Sequence, residues 1–67
     1  MKSLLDLIEA GHVETGRASL RLYRHPKGLQ VTGSIDSVPV GTHTHPVVVR
    51  DAEACEVWLR ARLRRKA

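Results

Sequence analysis

Apolar residues recur at helical spacing at the end of the chain. Over 51–66, the positions that share one side of a helix are Ala52, Cys55, Trp58, Leu59 and Leu63. Asp51 suits the N-cap, because its carboxylate can accept a hydrogen bond from a backbone N–H of the first turn. Basic residues crowd the far end, where cations complement the helix dipole. The pattern predicts an amphipathic helix whose apolar stripe packs on another element.

A second, shorter helix is predicted near the start of the chain. Ser3 and Asp6 have the spacing of a capping box, and Gly11 stands where a left-handed residue commonly ends a helix. The apolar face between them consists of Leu4, Leu5, Leu7 and Ile8. We interpret 12–16 as a connector in which Val13 is the residue expected to be buried.

The middle of the chain alternates between apolar and polar residues, as half-buried strands do. Strands are predicted over 18–24 and 29–35, and the turn 25–28 between them makes a hairpin, since its Pro and Gly suit a tight reversal. The shared apolar face consists of Ala18, Leu20, Leu22, Leu29, Val31, Gly33 and Ile35. We therefore expect one buried and one polar side to this hairpin.

The stretch 36–46 contains Pro39, Gly41 and Pro46, and we interpret it as an extended loop. A short third strand is predicted over 47–50. Together the elements predict a single α+β domain over 1–67, a two-layer helix–three-stranded antiparallel sheet–helix arrangement with the order α-β-β-β-α.

Length and composition place the chain among small globular proteins. A chain of 67 residues buries roughly 60% of the surface that its unfolded form exposes, so the core must be small. The single cysteine, Cys55, excludes an intramolecular disulfide and fits a reducing compartment, so we expect a cytoplasmic protein. The first residues are too short and too charged for a signal peptide, and no apolar run approaches the roughly 20 residues of a membrane span.

Few residues favour catalysis or metal binding. His43 and His45 would project to the same side of an extended segment, but two imidazoles are too few for a zinc site. Cys55 lies on the apolar stripe of the last helix, where a small hydrophobic side chain is the ordinary explanation. The carboxylates are scattered and no phosphate-binding glycine loop is present. We therefore predict no catalytic residue, no metal and no cofactor.

The charge balance favours an acidic partner. Lys and Arg number 11 against 7 Asp and Glu, a formal net charge of +4. The polar side of the hairpin offers cations, an aromatic ring and hydrogen-bonding groups, a mixture that suits nucleic acid as well as solvent. The residues predicted to bind nucleic acid are Arg17, Arg21, Tyr23, Arg24 and Lys27 on the hairpin and Arg60, Arg64 and Arg65 on the last helix.

Residues 4–28 resemble the N-terminal half of HicA-type toxins. The matching features are the short helix closing on Gly11, then Ser19, Tyr23 and the turn His25-Pro26. The resemblance implies a double-stranded-RNA-binding-like fold, mRNA cleavage and a HicB antitoxin as partner. Leu20 stands where the family has its catalytic His, so cleavage is not carried over.

The second half of the chain is similar to a different family. Three strands followed by a helix that runs to Trp58-Leu59 resemble the DNA arm-binding domains of tyrosine recombinases, which lay their sheet in a groove. Leu29-Gln30-Val31 stands where those domains usually have a Trp. Both resemblances imply nucleic acid, and they differ about which surface binds it.

Two alternatives to a non-catalytic nucleic-acid-binding protein remain at this point. One is a small phage-type inhibitor or regulator that docks on a host protein, for which an exposed Val57 and an edge strand would serve as contacts. The other is a toxin-type ribonuclease in which His25 or His43 replaces the missing His. A homodimer is also possible for so small a core.

Overall fold

Two helices and an antiparallel sheet make up the protein in the computed structural model, which describes residues 3–64. The elements are α1 (Leu4–Glu9), β1 (His12–Glu14), β2 (Ala18–His25), β3 (Gly28–Ile35), β4 (Val38–Val40), β5 (Val47–Val49) and α2 (Ala52–Arg64). The predicted small α+β domain with a helix at each end of the chain is confirmed. The predicted count of three strands is wrong, because five strand segments form the sheet.

Side-chain caps fix the start of each helix. The Ser3 hydroxyl accepts a hydrogen bond from the Asp6 N–H at 3.2 Å, and the Asp6 carboxylate accepts one from the Ser3 N–H at 3.2 Å. At α2, the Asp51 carboxylate accepts a hydrogen bond from the Ala54 N–H at 2.8 Å. Gly11 follows α1 with φ +87°, in the left-handed region that favours glycine. All three predicted helix boundaries are therefore confirmed.

The predicted hairpin is the centre of the sheet. β2 and β3 pair along their whole length, from Ala18 opposite Ile35 to His25 opposite Gly28. Pro26 and Lys27 form the two-residue loop between them. Gly28 has φ +142°, and a Cβ there would lie 2.1 Å from the carbonyl oxygen of Val49, so this position requires glycine.

The segment predicted as a connector contains a strand. His12–Glu14 pairs antiparallel with β2, and Val13 lies opposite Leu20. Val13 is fully buried, as predicted, because it joins the apolar face of the sheet. A strand of three residues with one apolar side chain is too short to show alternation, and its pairing depends on β2, so the local pattern did not reveal it.

The predicted loop 36–46 begins with a second tight hairpin. Asp36 and Ser37 have φ +52° and +65°, and two successive left-handed residues are the mark of a type I′ turn. β4 then pairs with the end of β3. The loop interpretation was wrong for Val38–Val40, because Pro39 occupies an edge strand, where a proline is tolerated.

β4 and β5 are two halves of one interrupted edge strand. Val40 lies opposite Gly33 and Val47 lies opposite Val31, so both segments run along the same side of β3. Residues 41–46 leave the sheet between them. Gly41 starts this excursion with φ +63°, and a Cβ there would lie 1.7 Å from the carbonyl oxygen of Val31.

The core lies on one face of the sheet. Both helices pack there, against each other and against the strands. The buried residues are Ile8, Val13, Ala18, Leu20, Val31, Ile35, Val40, Cys55 and Leu59, and partly buried Trp58 and Leu63 extend the cluster. The opposite face of the sheet carries no helix among the described residues, and we call it the open sheet face.

Replacing Leu20 with Ala should lower the free energy of unfolding by about 2–5 kcal/mol, because it leaves a cavity in the middle of this small core. Urea denaturation followed by circular dichroism measures the change. Val57→Ala is the matched control, since Val57 is 69% exposed and its truncation should change stability by about 0.5 kcal/mol or less. Equal effects of the two substitutions would contradict the one-sided core.

Candidate nucleic-acid interface

Two cross-strand rows dominate the open sheet face. In the first, Arg21 of β2 lies opposite His12 of β1 and Thr32 of β3. In the second, Tyr23 lies opposite Gln30, which in turn lies opposite Val48 of β5. Directly opposed residues project to the same side of a sheet, so these six side chains share one surface.

Arg21 and Tyr23 are the two predicted binding residues that this face brings together. They are two residues apart on β2, and the Tyr23 residue is 51% exposed. Together with Gly11 and His12 they line a shallow depression of about 310 Å³. A guanidinium, a phenol and an imidazole therefore meet at one place on the surface.

His12 is a candidate that the sequence interpretation missed. Its Nε2 lies 3.6 Å from a carboxylate oxygen of Glu14, the next residue on the same side of β1. Both side chains are more than half exposed, at 51% and 68%. The sequence contains no sufficient signal for this position, because three residues are too few to establish the alternation of a strand.

Arg17 has a structural role at the other end of the sheet. Its Nε and Nη2 donate to the two carboxylate oxygens of Asp36 at 2.8 Å each, and its Nη1 donates to the backbone oxygen of Leu63 near the end of α2. This pairing lowers the pKa of Asp36, chiefly through the hydrogen bonds from Arg17. The predicted binding residue thus joins the loop before β2, the β3–β4 turn and α2.

Arg24 and Lys27 lie at the hairpin end of the sheet, apart from the open face centre. Arg24 is opposite Leu29, which is opposite Val49, so the register places Arg24 on the helix side. It lines a groove of about 680 Å³ between the ends of α1, α2 and the hairpin, together with Arg50. Lys27 is exposed in the turn itself.

The predicted cations of the last helix lie in the other layer. Arg60 pairs with Glu56 across one helical turn, with Nη2 3.2 Å from the carboxylate oxygen. Arg64 is exposed and borders a small depression with Arg60 and Leu63. Arg65 lies outside the described residues. The structure therefore places Arg60 and Arg64 in the helix layer, apart from Arg21 and Tyr23 on the open sheet face.

Other candidate chemistry is sparse in residues 3–64. No three His, Cys, Asp or Glu side chains in this range are grouped as a metal site requires. The His45 ring instead contacts Thr44, with Nδ1 3.1 Å from the hydroxyl. Burial raises the pKa of the Cys55 thiol to about 11, so at neutral pH it is protonated as well as inaccessible. Within the same range, neither helix has the length and apolar character needed to cross a bilayer.

Comparisons with known proteins gave no match to a family model, to a curated protein or to a solved structure. The structure does bear on the residue correspondence with HicA-type toxins. Leu20, which stands at the catalytic His position, is fully buried on the core face. Position 20 is therefore inaccessible to a ligand, whereas Arg21 and Tyr23 are exposed on the other face of β2.

Replacing Asp36 with Asn should lower Tm at neutral pH by a few degrees and have no effect in strong acid. The folded-state pKa of Asp36 is depressed, so its ion pair stabilises the protein fully above the unfolded pKa of about 3.9 and is lost as pH falls through the folded value. Asn keeps the tolerance for the left-handed turn, and it removes the charge together with one of the two oxygens that accept hydrogen bonds from Arg17.

Thermal unfolding of both proteins between pH 2 and pH 7 checks this expectation. The difference in Tm should shrink below about pH 4. Glu9→Gln serves as a control for loss of one exposed carboxylate. A Tm difference that is constant across this range would show that the Arg17 pair does not stabilise the fold.

Proposed function

We propose that this protein binds nucleic acid through the open sheet face. The observation that carries the proposal is the adjacency of Arg21 and Tyr23 on a surface that both helices leave uncovered. A guanidinium pairs with phosphate oxygens in a planar fork, and an exposed aromatic ring offers a face on which a base can stack. Phosphate pairing and base stacking are the two contacts on which sequence-tolerant binding of nucleic acid depends.

The neighbouring side chains suit the same ligand. Gln30 and Thr32, on β3, lie directly opposite Tyr23 and Arg21 and supply hydrogen-bonding groups for base edges or sugar hydroxyls. The formal net charge of +4 favours the approach of a polyanion. Arg60 and Arg64 contribute to this general field from the other layer, and they do not share a contact surface with Arg21.

Arg21→Gln should weaken binding markedly, and it should reduce by about 1 the slope of log affinity against log salt, because one phosphate contact is lost. Fluorescence anisotropy with labelled RNA and DNA oligonucleotides at several salt concentrations measures both quantities. Arg60→Gln is the matched control, since it removes the same charge from the opposite layer. Its effect on affinity and slope should be much smaller.

Equal losses in the two variants would overturn the proposal, because they would show that only overall charge matters. Absence of salt-dependent binding by the unmodified protein would also overturn it. The protein-binding alternative would then take its place, and co-purification of a protein without nucleic acid would support that alternative.

A second candidate function, ribonuclease activity, is favoured by the position of His12. The depression that it shares with Arg21 and Tyr23 joins a potential general base to a phosphate-binding cation. Glu14, at 3.6 Å, is placed to orient the imidazole. The resemblance of residues 4–28 to HicA-type toxins does not carry this activity over, because Leu20 stands at the catalytic His position, so the candidate depends on His12.

In this reaction the ribose 2′-oxygen attacks the adjacent phosphorus while its proton passes to the His12 imidazole. The bond from phosphorus to the 5′-oxygen breaks, and that oxygen takes a proton from the Tyr23 phenol or from water. The products are a 2′,3′-cyclic phosphate and a free 5′-hydroxyl. Every bond and proton in this reaction is accounted for without a metal ion or a cofactor.

His12→Ala should abolish cleavage of labelled RNA and leave binding largely intact, whereas His43→Ala, in the excursion 41–46, should leave both unchanged. Gel analysis of the products, with an all-deoxy oligonucleotide as the resistant substrate, checks the expectation. Cleavage that persists in the His12 variant, or that also consumes the deoxy substrate, would exclude this mechanism.

A further inference from the structure

We infer that the ligand of the open sheet face is single-stranded nucleic acid, which lies along β2 from Tyr23 towards the hairpin end. This inference rests on the proposed function and specifies its substrate class. Three observations on the described residues carry it: the exposure of the Tyr23 ring, the lack of Lys and Arg along the edge strands, and the concentration of cations beyond the turn.

Tyr23 offers a contact that only unstacked bases can use. The residue is 51% exposed and stands in the middle of the open face, flanked by Arg21 along the strand and by Gln30 across it. A duplex keeps its base faces within the stack and presents only base edges in its grooves. A single strand can splay a base onto the ring, and stacking of this kind is tolerant of sequence.

The edges of the sheet do not fit a duplex. A duplex that received this face in a groove would bring a phosphate backbone to each long edge, and each edge would need cations. Among the described residues, β1 carries His12 and Glu14 on this face, so its edge has a carboxylate and neither Lys nor Arg. The opposite edge, β4 and β5, consists of valines and Pro39 and contributes no cation.

Positive charge is gathered instead at one end of the sheet. Arg24 is the penultimate residue of β2, Lys27 is in the turn, and Arg50 follows β5 beside the same turn. Arg50 contacts Asp51 at 3.4 Å, with 85% of its own side chain exposed, so its guanidinium remains accessible to solvent. Arg17, at the opposite end, is engaged with Asp36. A nucleic-acid backbone that leaves the open sheet face at Tyr23 and turns over the hairpin end would meet Lys27 and then Arg24 and Arg50, which line the groove on the helix side.

The experiment compares one labelled oligonucleotide, single-stranded and annealed to its complement, by anisotropy at a fixed salt concentration. The unmodified protein should bind the single strand more tightly. Tyr23→Ala should weaken single-strand binding by roughly 5- to 150-fold and leave duplex binding nearly unchanged. Tyr23→Phe should behave like the unmodified protein, because it keeps the ring.

A second pair of variants tests the path of the bound nucleic acid across the surface. The double variant Arg24→Gln with Arg50→Gln should weaken single-strand binding and lower its salt slope by up to about 1.4. The double variant Arg60→Gln with Arg64→Gln removes equal charge from the helix layer and should have a smaller effect. Circular dichroism confirms that each variant is folded.

The outcomes separate the two proposals. Duplex binding as tight as single-strand binding, but sensitive to Arg21→Gln, would overturn the single-strand inference and leave nucleic-acid binding by the sheet face in place. An unchanged single-strand affinity in Tyr23→Ala would likewise overturn the inference. If neither form binds, both proposals fail.

Discussion

The rest of the structure depends on one constraint, which is that the sheet has apolar side chains for only one of its faces. Successive residues of a strand point to opposite sides, so the burial of Leu20 on one side commits Arg21 to the other. Both helices therefore pack on the same face, where Cys55 and Leu59 of α2 complete the core. Since both helices pack on the apolar face, neither is left to cover the opposite face, and this is why the open sheet face is exposed.

Arg17 is a cation that pairs within the fold, at the end of the sheet away from the β2–β3 hairpin. The end of α2 leaves unpaired backbone oxygens, and the β3–β4 turn places a carboxylate close to them. Arg17 satisfies both by donating to Asp36 and to the Leu63 oxygen, while the Asp36 N–H donates to the Arg17 oxygen at 2.7 Å. A cation used to close one end of the domain does not add net charge there. The other exposed cations of the sheet and its turns are Arg21 on the open sheet face and Arg24, Lys27 and Arg50 at the hairpin end.

Local sequence signals predicted the parts of the fold that depend on neighbours along the chain. The caps at Ser3 and Asp51, the stripe of α2 and the turn at Gly28 need only nearby residues, and all were correct. β1 and β4 were missed because they are three residues long and exist through pairing with longer strands. The turn at 36–37 lacks the Asn-Gly signal, since Ser37 adopts the left-handed conformation without glycine.

The candidate site was predicted in part for the same reason. Alternation correctly placed Arg21 and Tyr23 on the polar side of β2, and the same alternation already assigned Arg24 to the other side, although charge alone had grouped it with them. The partner of Arg17 is 19 residues away along the chain. No local pattern connects those two positions, because their contact exists only after the β3–β4 turn has formed.

The form of the edges favours the face, rather than a strand edge, as the proposed binding surface. At one edge of the sheet, β1 offers three residues to an added strand. The other edge, formed by β4 and β5, is interrupted by the excursion 41–46. Pro39 also lacks the N–H that an added strand would need. Strand addition gains its affinity from an uninterrupted ladder of backbone hydrogen bonds, and neither edge provides one. The proposed recognition by this sheet therefore depends on side chains, and the side chains suited to it are those around Arg21 and Tyr23.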